Sequence, residues 1–169
     1  MAPTRVVGSE GQPDPRGVRD VIRAEANRLY PECGRVVLPD RAFEPVEITG
    51  GGHPEYVVMF GRGLCESVGT SQNWQGTGGA VIQVWLASGG PPRMLMERQV
   101  MGFSVVPRGL ITHQHGSYCP GGAGPAICQV TYEWHENDRA LYPTHRQFFD
   151  GTQRVGPRTM DWDYEQVSR

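Results

Sequence analysis

The sequence predicts an α+β fold: a mainly antiparallel β-sheet or sandwich with one clear N-terminal helix and extended termini. Three observations carry this. Twenty-three glycines and fourteen prolines among 169 residues demand many turns and exclude a helical bundle. One stretch near the N-terminus, and no other of comparable length, has apolar residues at helical spacing. Beyond it, apolar residues come in short β-branched or alternating runs separated by Gly and Pro, which is how strands and their turns are spelled. A chain of this length is expected to form one domain with a sizeable core.

Residues 1–13 read as a loose N-terminal arm, with Pro3, Gly8, Gly11 and Pro13 and little to bury. The core domain is expected over 14–135. Asp14 suits an N-cap and Pro15 the first helical position. Val18, Val21, Ile22, Ala26 and Leu29 form the apolar stripe. Glu25 falls within that stripe and needs a polar partner there, and Pro31 ends the helix near Tyr30.

Strands follow. Arg35–Leu38 is a short β-branched run, Val46–Thr49 alternates, and Tyr56–Phe60 is continuously apolar, as a strand buried on both faces would be. Ala80–Leu86 is a strong strand, with Ile82, Val84 and Leu86 on one face and Val81, Gln83 and Trp85 on the other. The glycine-rich stretch 61–79 between these two reads as a long hairpin loop or a strand pair with a frayed tip. Arg93–Val100, opened by Pro91-Pro92, fits a short helix or a strand, and the helix is the preferred reading. Leu110–His115 and Ala126–Trp134 are strands joined by Pro120-Gly121-Gly122-Ala123-Gly124-Pro125. Ala126–Trp134 alternates most cleanly, with Ala126, Cys128, Val130, Tyr132 and Trp134 facing inward. From 136 to 169 aromatic residues are scattered without a period, which predicts an extended C-terminal arm packed on a neighbouring surface.

Composition excludes several functions. All sixteen basic residues counted as Lys or Arg are arginine, a bias that fits GC-rich coding. Without lysine there is no Schiff-base catalysis and no P-loop lysine. No Gly-x-Ser-x-Gly elbow occurs, and Gly61-Arg62-Gly63 lacks the third glycine of a dinucleotide fingerprint. A net charge of −2 gives no patch for sequence-specific nucleic acid. No apolar run is long enough for a membrane helix. Met1–Glu10 lacks the apolar centre of a signal peptide, so synthesis in the cytoplasm with reduced cysteines is expected.

His113-Gln114-His115 is the strongest candidate for chemistry. Residues i and i+2 of a strand share a face, so both imidazoles can meet one metal ion, with His135 as a third ligand. The pair resembles the His-x-His of cupins, small β-barrel metalloenzymes. Gly116, Ser117, Tyr118 and Cys119 stand where the cupin glutamate is expected. The competing and preferred reading places these histidines on the solvent face of an amphipathic strand, with no metal, cofactor or catalytic group. Cys119 and Cys128 flank the turn and can form a disulfide if their Cα atoms come within about 7 Å. Cys33 and Cys65 are unassigned, and idle reduced thiols are the preferred reading. Asp161, Asp163 and Glu165 serve solvation.

The order of elements resembles the tail-terminator and neck proteins of long-tailed bacteriophages: an amphipathic helix (Gly17 to Tyr30), a strand (Tyr56 to Phe60), a long polar loop, a strong strand (Ala80 to Leu86), a short helix (Arg93 to Val100) and a hairpin ending in Cys128-Gln129-Val130-Thr131-Tyr132-Glu133-Trp134. The resemblance implies a structural virion protein assembled in the host cytoplasm. It forms a homo-oligomeric ring at the head–tail junction, with intersubunit contacts made by loop 61–79 and the arms, and has neighbouring virion proteins as further partners. Tail-tube or capsid-decorating subunits, a cupin-like metalloenzyme and a cellular interaction module are the alternatives.

Overall fold

The computed structural model describes residues 17–51, 55–119, 126–149 and 158–160. The readings placed on the N-terminal arm, on Asp14 and Pro15, on the turn 120–125 and on Asp161, Asp163 and Glu165 lie outside them.

The described elements are α1 (Val18–Leu29), β1 (Val36–Val37), β2 (Phe43–Val46), β3 (Glu55–Met59), β4 (Leu64–Cys65), β5 (Gln75–Gly76), β6 (Gly79–Leu86), β7 (Arg93–Val100), β8 (Gly102–Val106), β9 (Gly109–His115), β10 (Ile127–His135), β11 (Ala140–Phe149) and β12 (Arg158–Met160). The fold is α+β, one helix with mainly antiparallel sheets. Residues divide into two compact units. Of the described residues, one comprises those up to Val46 with those of Gly51–Gly76 and Ala80–Arg98, the other Glu47–Gly50, Thr77–Gly79 and those from Gln99 onward.

In the first unit the strand order is β2-β3-β6-β5, with β7 also pairing with β6, and β1 pairs separately with β4. The helix begins after Gly17, whose left-handed φ of 61° turns the chain into it. Val18, Ile22 and Ala26, one helical face, are buried against Val36, Leu38, Phe43, Tyr56, Val58 and Trp85. Val21, read as part of the stripe, is exposed, and Glu25 finds its polar partner one turn on in Arg28. Asn27 fixes the helix to β1 by accepting from the Val36 amide at 2.8 Å.

Three readings change in this unit. Arg93–Val100 is strand β7, not a helix. Its Met, Leu, Glu, Arg and Gln favour a helix locally, and pairing with β6 overrides that preference. The strand expected over Val46–Thr49 lies earlier, at β2; that strand ends the sheet order, where Pro45 is tolerated. The stretch 61–79 is not an open loop. It holds β4, β5 and a short 3₁₀ turn that buries Trp74.

The second unit carries a sheet of order β12-β11-β10-β9-β8, every pair antiparallel. In β10, Cys128, Val130, Tyr132 and Trp134 are buried and the intervening residues are not. The C-terminal arm reading changes here as well. Residues 140–149 form a ten-residue strand paired along β10. Two tyrosine- and proline-broken alternations hid it: the register slips between Thr131 and Tyr132, so the inward face runs from Leu141 and Pro143 to Arg146.

Candidate functional site

The β9–β10 hairpin holds the residues singled out for chemistry. Alternation along β9 buries Leu110, Thr112 and Gln114 and leaves Ile111, His113 and His115 half-buried on the opposite face. His113 sits opposite Gln129 and His115 opposite Ile127. His115 Nδ1 lies 2.8 Å from Ser117 Oγ, and the Ser117 amide also points at that nitrogen. This ring is therefore held by its own turn. No carboxylate among the described residues bonds its other nitrogen, so the Ser–His contact lacks the third group that orients a catalytic base.

His135 does not join the pair. It lies six residues along β10 from the partner of His113, roughly 20 Å at 3.3 Å per residue. There its ring packs edge-on against Tyr142, centroids 4.9 Å apart. The three-histidine set read from the sequence is therefore corrected. Two imidazoles on one strand lack the third protein ligand that a catalytic zinc site keeps. Among the described residues no group of three His, Cys, Asp or Glu side chains is disposed to hold a metal. A tenfold excess of Zn²⁺ is expected to leave the thermal midpoint unchanged, and His113→Ala with His115→Ala to shift it by less than about 2 °C. A midpoint raised by zinc in the parent and not in the variant would restore the metal reading.

All four cysteines are paired. Cys119 joins Cys128 across the hairpin with Cα atoms 5.6 Å apart. Cys33 joins Cys65 at 4.8 Å, across 32 residues of chain. Both separations fall in the normal range for disulfides. No free cysteine remains, which overturns the expectation of reduced thiols. Every one of these side chains is buried. Asn73 donates its amide to the Cys65 sulfur at 3.2 Å, and beside this staple Tyr30, Phe60 and Trp74 meet edge-on at 5.2–5.6 Å.

The first unit also contains a polar chain that the sequence reading missed. Tyr30 Oη donates to Glu97 Oε2 at 3.1 Å, Gln83 Nε2 donates to the same oxygen at 2.6 Å, and Trp85 Nε1 donates to Gln83 Oε1 at 2.9 Å. Burial, and next the negative Glu97, push the Tyr30 phenol far above its ordinary value. Tyr30 therefore stays protonated and serves as a donor, not as a nucleophile or base. Gln83, a fully buried amide between Val81 and Trp85 on one strand face, was the available signal. The helical reading of 93–100 concealed Glu97, its partner.

No protein-family model, curated protein or solved structure matches this chain.

Proposed function

We propose that this chain is a non-catalytic, homo-oligomeric structural protein that works in oxidising surroundings. The closure of all four cysteines into two buried disulfides carries the reading. Reducing compartments keep such thiols open, whereas exported proteins and released particles oxidise them. The distinctive polar groups support a structural role. Tyr30, Gln83, Trp85 and Glu97 bond one another, Gln114 bonds Thr112 and Tyr132, and His115 bonds its own turn.

Protein taken from its native source and unfolded without reductant is expected to show no titratable thiol, and four after reduction. Four thiols before reduction would defeat the oxidising-environment reading. Sedimentation of the purified chain tests the homo-oligomer. A monomer at every concentration up to the millimolar range would defeat that half.

The narrower reading is a neck or tail-terminator subunit of a tailed phage, forming a ring. It is favoured by the retained order of α1, β3, the polar stretch, β6 and the β9–β10 hairpin; the strand at β7 removes the second helix from that order. Assembly in a host cytoplasm followed by release accommodates late disulfide closure. Immuno-electron microscopy of particles tests it: label at the head–tail junction supports it, label along the tail tube or on the capsid favours those alternatives, and particles without label exclude all three.

A further inference from the structure

We propose that two copies of this chain meet through the end of the second unit's sheet where the β8–β9 and β10–β11 turns lie, with Arg108 and Arg139 as the contact residues. The inference rests on the homo-oligomer reading and names its contact.

The starting point is backbone strain. Among the described residues nine have φ in the left-handed range: seven are glycine, and the two others are Arg108 at 59° and Arg139 at 49°. A Cβ is crowded in that conformation, so glycine is its default. Asparagine and aspartate follow because their short side chains bond locally. Arginine has neither advantage. A chain with 23 glycines fills the other left-handed positions among its described residues with glycine and keeps arginine at these two. Strain retained against an easy alternative points to a side chain kept for function.

The two positions share one end of the sheet. Arg108 lies in the turn closed by the Val106–Gly109 pair, and Arg139 in the turn closed by His135–Ala140. The Arg108 carbonyl accepts from the Trp134 amide at 2.8 Å, which ties the turns together. Both arginines are exposed. Among the described residues Arg108 pairs with Glu136 at 3.9 Å, between two side chains more than half exposed. Such a pair contributes little and does not account for retaining the arginine.

Charge selects the partner. Glu133, Glu136 and Asp138 are exposed around the same end. Three carboxylates beside two guanidinium groups repel a polyanion and leave no single-sign patch for an acidic peptide. A surface carrying both signs fits its own copy about a two-fold axis, the arginines of one copy forking onto carboxylates of the other. That contact is two-fold, unlike the head-to-tail contact of a ring.

The test is sedimentation equilibrium of the full chain, with thermal midpoints measured where the parent is monomeric. The parent is expected to associate, less so in high salt. Arg108→Gly with Arg139→Gly is expected to weaken association at least about tenfold while raising the midpoint by about 2–4 °C as strain is relieved. Arg139→Asp and Asp138→Arg are each expected to associate poorly alone and well when mixed. A midpoint that falls in the glycine variant would show the arginines to be structural and overturn the proposal. Parent-like association in that variant, or no recovery on mixing, would overturn the contact and leave the homo-oligomer reading standing. A parent that never associates would overturn both.

Discussion

Cys33→Ala with Cys65→Ala is expected to cost about 3–4 kcal/mol of stability. The bridge spans 32 residues of chain, and closing a loop of that length removes roughly this much conformational freedom from the unfolded state. The expected loss is larger than for Cys119 and Cys128, which close only nine residues and for which the same relation gives about 2.5–3 kcal/mol. Native contacts add to the difference. The Cys33–Cys65 staple fixes the turn after α1 to β4, which pairs with β1 at Val36–Cys65 and Val37–Leu64, and Asn73 is left without its sulfur acceptor when the bridge is gone. Urea unfolding of the two double variants measures both. A loss below about 1 kcal/mol for Cys33 and Cys65, or the reverse order of the two, would contradict the assignment of this bridge as the main covalent support of the first unit.

Gly79→Ala is expected to cost about 3 kcal/mol or more, and Gly69→Ala only about 1 kcal/mol. Both glycines occupy the left-handed region, Gly79 at φ 98° and Gly69 at φ 74°. A Cβ on Gly69 meets nothing within 4 Å, so alanine there carries only backbone strain. A Cβ on Gly79 would overlap the carbonyl carbon and oxygen of Val100, which are backbone atoms that cannot rotate away. The start of β6 would have to move, and with it the Gln99 amide that donates to the Gly79 carbonyl at 3.1 Å. Denaturation midpoints of the two variants separate strain from crowding, and equal losses would show that the close approach at Gly79 is not a feature of the folded protein.

The long stretch from Gly61 to Gly79 shows why part of this fold escapes sequence reading. Its glycines and polar residues match a loop, yet Cys65 and Trp74 are fully buried within it. Neither belongs to a periodic run, so no pattern marks them; they are inside because a disulfide and an aromatic cluster, both assembled from distant parts of the chain, hold them there. The histidines teach the converse. His113 and His115 share a face by strand geometry alone, while His135 lies on the partner strand of the hairpin, where the antiparallel register carries it to the far end.

The sequence by itself determined the inward face of β10, the Val18, Ile22 and Ala26 part of the inward face of α1, the β9–β10 hairpin that brings Cys119 beside Cys128, and the α+β class. Each of these rests on short-range periodicity or turn chemistry. Tertiary structure alone decided that Arg93–Val100 is a strand, that residues 140–149 extend the sheet, that Cys33 pairs with Cys65, and that Glu97 completes a buried polar chain. The last two depend on partners 14 to 67 residues away, and a local pattern of side chains carries no information about which distant strand or sulfur will be its neighbour.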